Sequence, residues 1–295
     1  MVSLFFIGIH SSSFSQESNQ LEVKLTPEEI AWLNEHPVIK ATNYSNWAPI
    51  DFNIAGRPTG FSIEYLNLVA EKVGIEIAYI SDDSLPNLFQ KLKDKEIDSG
   101  HGIVQTEERN SYLKFTEPYV EFPLYYFGRV GAPPINKLSD LDGRRVGIIS
   151  GIASADVIKR NYSYLTLIEQ ETVLDAFQAL GNGSIDVFAV ILPIANYTIS
   201  RFNISGVEVI GSSVIFELRG GNPVRLAVRD DWDILRVILP RQQENLQNNF
   251  RKSIKKTHNT QVRGCFFKGC YYLRGLTYKG YISYNNSTNV QQVFS

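Results

Sequence analysis

Short β-rich runs alternate with amphipathic helical segments along most of this chain, on both sides of a Gly-Ala-Pro-Pro break, and no other feature constrains its fold as strongly. Residues Leu25–His36 carry the signals of a short helix, with Thr26 as N-cap, Pro27 at the first helical position and Glu29 at the capping-box position; Pro37 ends it. Val38–Thr42 reads as a strand and Asn43–Phe52 as a loop. Phe61, Ile63, Leu66, Leu68, Val69 and Val73 then recur at helical spacing until Gly74 stops the helix. Ile75–Ile80 is a strand, Ser84–Lys95 an amphipathic helix capped by Ser84, and Ile97–Val104 a further strand. The order β-α-β-α-β implies a mainly parallel sheet with helices on its faces.

The aromatic-rich extended run Tyr119–Val130 ends at Gly131-Ala-Pro-Pro-Ile, which marks a boundary. Beyond it, strands over Arg145–Ile149, Leu165–Glu169, Val187–Ile191 and Val207–Ile210 alternate with helices over Ala153–Tyr162, Glu171–Leu180 and Pro193–Ser200. The chain returns through Ser213–Leu218 and Arg225–Val228 to a closing helix, Trp232–Ile254, which Pro240 is expected to kink or split. Two α/β units joined by a pair of extended crossovers place a cleft between them. Ligands of open α/β sheets sit at the loops after the carboxyl ends of the strands. The loops Asn43–Phe52, Gly102–Arg109 and Ser150–Ser154 occupy such positions.

Composition narrows the chemistry. The chain has 295 residues, a length that suits two domains or two lobes, and a formal net charge of -2, which leaves no basic stripe for nucleic acid. The apolar opening VSLFFIGI and the small residues around Ser13–Ser15 read as a signal peptide over residues 1–19, though no Lys or Arg precedes them; the expected location is periplasmic or extracellular. No later stretch approaches the ~20 apolar residues of a membrane span. The two cysteines, Cys265 and Cys270, fall in a tail over residues 259–295 that is rich in Tyr, Gly and Asn; they are either a local disulfide loop or two idle thiols. The four histidines are scattered, and neither a nucleophile elbow nor a phosphate-cradling loop occurs, so no metal or cofactor is expected. His101, beside Gly102, is either a pH-sensitive contact or a satisfied structural histidine.

The stretch Gly102–Tyr119, GIVQTEERNSYLKFTEPY, carries the most specific chemistry. Arg109, just inside a turn opened by Thr106, can offer its planar fork to a carboxylate while the hydroxyl and the free amides of the turn add donors. A solvated E-E-R face is the plain alternative.

In order, GFSIEYLNLVAEKVG, LFQKLKDKEIDSGHGIVQTEERNSYLKFTEPY, LSDLDGRRVGIISG and ALGNGSIDVFAV resemble the type 2 periplasmic solute-binding proteins of the amino-acid-binding class over roughly residues 36–255. The opening LTPEEIAWLNEHPVIKATNYSNWAPIDF is similar to the Venus flytrap modules of Bvg-type sensor kinases and of diguanylate cyclases. The resemblance implies an α/β, two-lobed periplasmic binding protein-like fold with two crossover hinge strands. One discontinuous lobe would span residues 36–128 and 217–256, the other 132–212. It also implies a small anionic solute trapped by hinge closure, and a transporter or a signalling protein as partner. Arg109 matches the family's carboxylate-binding arginine, Thr106 the hydroxyl beside it, Trp47 the aromatic cover and Asn43 a polar contact. Gly102 matches a backbone carbonyl position, and Ser150 and Gly151 the amide-donating turn of the second lobe. Lobe packing for Trp47 and a plain turn role for Gly151 stay open. Two positions depart from the family: Ile191 stands where a carboxylate pairs with the ligand's ammonium, and Val104 where a hydroxyl assists it. A carboxylate lacking that amine, or a more apolar ligand, therefore fits better than a standard α-amino acid. A cyclohexadienyl or arogenate dehydratase-like enzyme on the same fold is the alternative, with Glu107 or Glu121 as its acid.

Overall fold

A computed structural model describes residues 25–212 and 222–258. The expected signal peptide, the return run Ser213–Leu218 and the tail with Cys265 and Cys270 lie outside the described residues.

The first helix, α1 (Pro27–Glu35), starts with the expected capping box: Thr26 Oγ1 accepts from the Glu29 amide at 3.2 Å, and the Glu29 carboxylate accepts from the Thr26 amide at 2.8 Å. The chain continues as β1 (Val38–Tyr44). The expected loop over 43–52 instead holds part of a small antiparallel sheet of β2 (Asn46–Trp47), β3 (Asp51–Ile54) and β4 (Arg57–Thr59). Strands of two to four residues are too short to show a period of two in the sequence. Next come α2 (Phe61–Val73), closed by Gly74 at φ 76°, β5 (Glu76–Asp82), α3 (Leu85–Lys93) with Ser84 as cap, and β6 (Ser99–Val104). A 3-10 turn, Arg109–Ser111, leads to β7 (Leu113–Phe115), β8 (Val120–Phe122) and β9 (Leu124–Arg129). The remaining elements are β10 (Arg145–Ile149), α4 (Ala153–Asn161), β11 (Thr166–Gln170), α5 (Val173–Asn182), β12 (Val187–Ile191), α6 (Leu192–Arg201), β13 (Val207–Ser212), β14 (Asn222–Arg229) and α7 (Asp233–His258).

Two larger sheets organise these elements. The first runs β5-β1-β6-β14-β7, with β8 also on β14; the second runs β11-β10-β12-β9-β13. In each, three parallel strands come from a β-α-β-α-β unit and a fourth strand joins antiparallel. Those fourth strands carry the crossings. β8 pairs in the first sheet and β9 in the second, so the chain changes sheets at Pro123. Proline has no amide hydrogen to continue a ladder, and a change of partner there costs no backbone bond. The boundary expected near residue 128 thus differs from the pairing, which puts all of β9 in the second sheet.

Each sheet has its own core. Ile39, Leu66, Val69, Leu226 and Ile238 are buried in the first, and Tyr126, Ile148, Phe177, Phe188 and Ile194 in the second. Ile50, in the turn between β2 and β3, sits in the second core. The helix α7 is not split at Pro240. Contacts on both sides of the proline hold it: Leu235, Ile238 and Leu239 are buried against the first core, Arg241 pairs with Glu29, and Gln247 donates to the Pro118 carbonyl at 3.4 Å.

Candidate functional site

The carboxyl ends of β1, β6, β10 and β12 surround a cavity of about 90 Å³. A buried water needs roughly 10–15 Å³ on this measure, so the space suits a molecule of several heavy atoms. Trp47, Gly102 and Arg109 line it from the first sheet's side, and Ile149, Gly151 and Ile191 from the second's.

Arg109 is positioned by the turn that its neighbours build. Thr106 Oγ1 accepts from the Arg109 amide at 3.2 Å and the Thr106 carbonyl accepts from the Asn110 amide at 3.0 Å, so the turn directs the side chain inward, where only 6% of the residue is exposed. Nη1 donates to the Val104 carbonyl at 2.8 Å and Nη2 to the Gly151 carbonyl at 3.1 Å, which reaches from one sheet's side to the other. The guanidinium carbon lies 3.9 Å from the centre of the Phe89 ring on α3. Among the described residues no carboxylate lies within ion-pair distance of this cation. Burial pulls its pKa down, while Tyr112, Asp156 and Glu108 act weakly in the opposite direction. A buried cation held only by neutral carbonyls keeps its full charge without a counter-ion from the described residues.

The facing turn is built from Gly151. It has φ 78°, and a Cβ there would come within 3.0 Å of Pro86 Cδ on α3, so only glycine meets both demands. Ile152, the N-cap of α4, offers no side-chain cap bond. The helix ladder begins at the Ala155 amide, which leaves the Ala153 and Ser154 amides of the first turn ahead of it, and both residues line the cavity.

The structure brings Arg109, Trp47, Gly102 and Gly151 together at this cavity. Trp47 packs against Tyr44 with ring centres 5.9 Å apart. Gly102, at φ 69°, is pinned by its amide, which donates to Tyr119 Oη at 3.0 Å; Tyr119 also bonds Ser62 Oγ at 2.9 Å. Thr106 shapes the arginine turn without lining the cavity. Asn43 is fully buried behind it, donating to Asp51 Oδ1 at 2.6 Å and accepting from Ser81 Oγ at 2.6 Å. The Ser150 hydroxyl bonds Glu169 on β11, itself paired with Lys159 at 2.6 Å. Glu107 and Glu121, the acids considered for an enzyme, are both exposed and line nothing here.

Sequence reasoning missed the α3 wall. Leu85, Leu88, Phe89 and Leu92 line the cavity, at a spacing that also describes any helix packed on a core, so periodicity carried no distinguishing signal. It also missed Asp51. Burial pushes that carboxyl up, opposed by His101 and by bonds from Tyr44 and Asn43. His101 Nε2 donates to the Thr42 carbonyl at 2.7 Å and lies 3.8 Å from Asp51 Oδ2, while Nδ1 has no partner among the described residues. Among those residues no group of His, Cys, Asp and Glu is arranged to hold a metal, and no helix is long and apolar enough to cross a membrane.

Comparison with known proteins follows the same geometry. The virulence sensor protein BvgS of Bordetella pertussis (strain Tohama I) is 25% identical over 175 residues, covering 59% of this chain and 14% of that protein. The probable histidine-binding protein of Campylobacter jejuni is 26% identical over 122 residues, 41% of this chain and 47% of that protein. The chain therefore spans only part of the length of these relatives. The solved periplasmic VFT2 domain of Bordetella pertussis BvgS shares the fold, with a TM-score of 0.67 at 22% identity, over 79% of this chain and 98% of that domain. The model of the bacterial extracellular solute-binding proteins, family 3, matches residues 39–263. A chain matched over most of its length, with a cavity between two α/β sheets, belongs to the bacterial extracellular solute-binding proteins of family 3.

Proposed function

We propose that this protein binds a small carboxylate-bearing solute outside the cytoplasm, between Arg109 and the first turn of α4, with Trp47 against it. The observation that carries the reading is the buried Arg109, which has no carboxylate partner among the described residues and lines a cavity that Ala153 and Ser154 of the first turn of α4 also line. The two sheets act as two lobes, between which the chain crosses at Pro123 and again between β13 and β14, and the solute shifts the population toward a closed form. A signalling role, in which closure is passed to a partner, is favoured by the likeness to BvgS, named as a sensor. Delivery to a transporter is the second use of the same closure, supported by the likeness to a protein named for histidine binding.

Thermal melting against a panel of amino acids, dicarboxylates, aromatic acids and polyamines tests the reading. A ligand that binds only the folded state raises the melting temperature. The expected hit is a carboxylate that raises it in the parent and not in Arg109→Ala. A hit that survives the loss of Arg109 would sink the carboxylate reading.

A further inference from the structure

The cavity also specifies what surrounds the carboxylate. We infer that the ligand is a monocarboxylate with an apolar body and no ammonium group. This class rests on Arg109 being the carboxylate anchor.

Three observations carry it. First, the cavity offers an ammonium nothing to pair with. Among the described residues Asp51 is the one carboxylate in the lining; its side chain is 7% exposed, and each oxygen already accepts a short bond, Oδ1 from the Asn43 amide at 2.6 Å and Oδ2 from the Tyr44 backbone amide at 2.8 Å. Those bonds tie β1 to β3, which is a structural use of the carboxylate. An ammonium taken out of water without a charged partner binds poorly. Second, the described lining provides one accessible cation. The His101 ring has no exposed surface and its Nε2 is spent on Thr42, so a second carboxylate on the ligand would find no partner. Third, most of the remaining wall is hydrocarbon, with Thr42, Tyr44 and Ser154 as its other polar side chains. Leu85, Leu88 and Phe89 of α3 face it from one side, and Ile152, Val190 and Ile191 from the other. A site of this kind fixes its ligand by a few polar contacts at one end and takes the remainder by apolar burial.

Phe89 sharpens the geometry. Its ring covers one face of the Arg109 guanidinium at 3.9 Å and also lines the cavity, so an apolar group attached to a bound carboxylate meets this ring and the leucines beside it.

Isothermal titration of the full-length protein with matched compounds tests the class. The set is 3-phenylpropanoate, phenylalanine, phenethylamine and phenylsuccinate, with 4-methylpentanoate, leucine and succinate beside them. Expected is binding of 3-phenylpropanoate or 4-methylpentanoate, with the matching amino acid and diacid weaker by about 100-fold and the amine silent. Arg109→Gln should abolish that binding and Arg109→Lys should weaken it, the pair guarding against a variant that only misfolds. If phenylalanine, leucine or a diacid binds as tightly as the monoacids and Arg109→Gln removes that binding, the class is wrong while the carboxylate anchor stands. If nothing in the set binds, or binding persists in Arg109→Gln, the anchor fails and the class falls with it.

Discussion

At the scale of single residues, Asp186 and Arg109 carry charges that are held in opposite ways. Asp186 is answered fully: its carboxylate receives Arg145 Nη2 at 2.7 Å, Nε at 3.0 Å and the backbone amide at 3.0 Å, with Arg129 at 3.4 Å. The bond from Arg145 holds its pKa well below the usual carboxylate range. A depressed folded-state pKa contributes stability that is present above the unfolded value near ~3.9 and is lost as pH falls through the folded value. Asp186→Asn should therefore lower stability by about 1 kcal/mol at neutral pH, allowing for partial solvent screening. The deficit should shrink on titration below roughly pH 4; melting curves of parent and variant across that range check both statements. Arg109 has no carboxylate partner among the described residues; its guanidinium donates to the Val104 and Gly151 carbonyls and stacks on Phe89. Phe89→Leu keeps an apolar wall and removes the aromatic face, worth about 1 kcal/mol. The expected result is a ligand-free melting temperature lower by roughly 2–4 °C and carboxylate affinity weaker by up to about fivefold.

At the scale of elements, the helix termini define local geometry. The capping box at α1 satisfies two amides that would otherwise be orphaned, and the same helix is fastened to α7 by Glu29–Arg241 and by Trp32 against Trp232 at 5.2 Å. Thr26→Ala removes the cap bond at a cost of about 1 kcal/mol. In a protein of this size the melting temperature should fall by roughly 2–4 °C with ligand binding unchanged; a loss of binding would show that α1 is coupled to the cavity. The capping box, the Pro27 start and the Gly74 stop were all legible in the sequence because each is a local rule with a fixed spacing. The continuation of α7 through Pro240 was not, because contacts with Glu29 and Pro118, distant in the chain, hold the helix on the far side of the break.

At the scale of the whole molecule, Gly151 connects the two sides of the site: its carbonyl accepts from Arg109, and a Cβ placed on it would meet Pro86 of α3. Gly151→Val adds a side chain at a positive φ, at a cost of about 1–2 kcal/mol, and drives it into that proline. The expected outcome is at least tenfold weaker ligand binding with a larger radius of gyration by small-angle scattering. A variant that stays compact and binds normally would show that this contact plays no part in closure. The alternation of β-rich and amphipathic segments by itself determined the class of fold, because helical and strand periods are written in the order of apolar residues; the motif around Arg109 determined where to look for an anion seat. Tertiary structure decided the rest. It put the change of sheets at Pro123 and built part of a small sheet from the expected loop over 43–52, where Ile50, in the turn between β2 and β3, joins the second core. It sent the Asn43 and Ser150 side chains to Asp51 and Glu169, and made a cavity wall of the apolar face of α3. The reason is physical: a residue's partners across a sheet or a cleft depend on register and packing between segments far apart in the chain, and neither is encoded in local spacing.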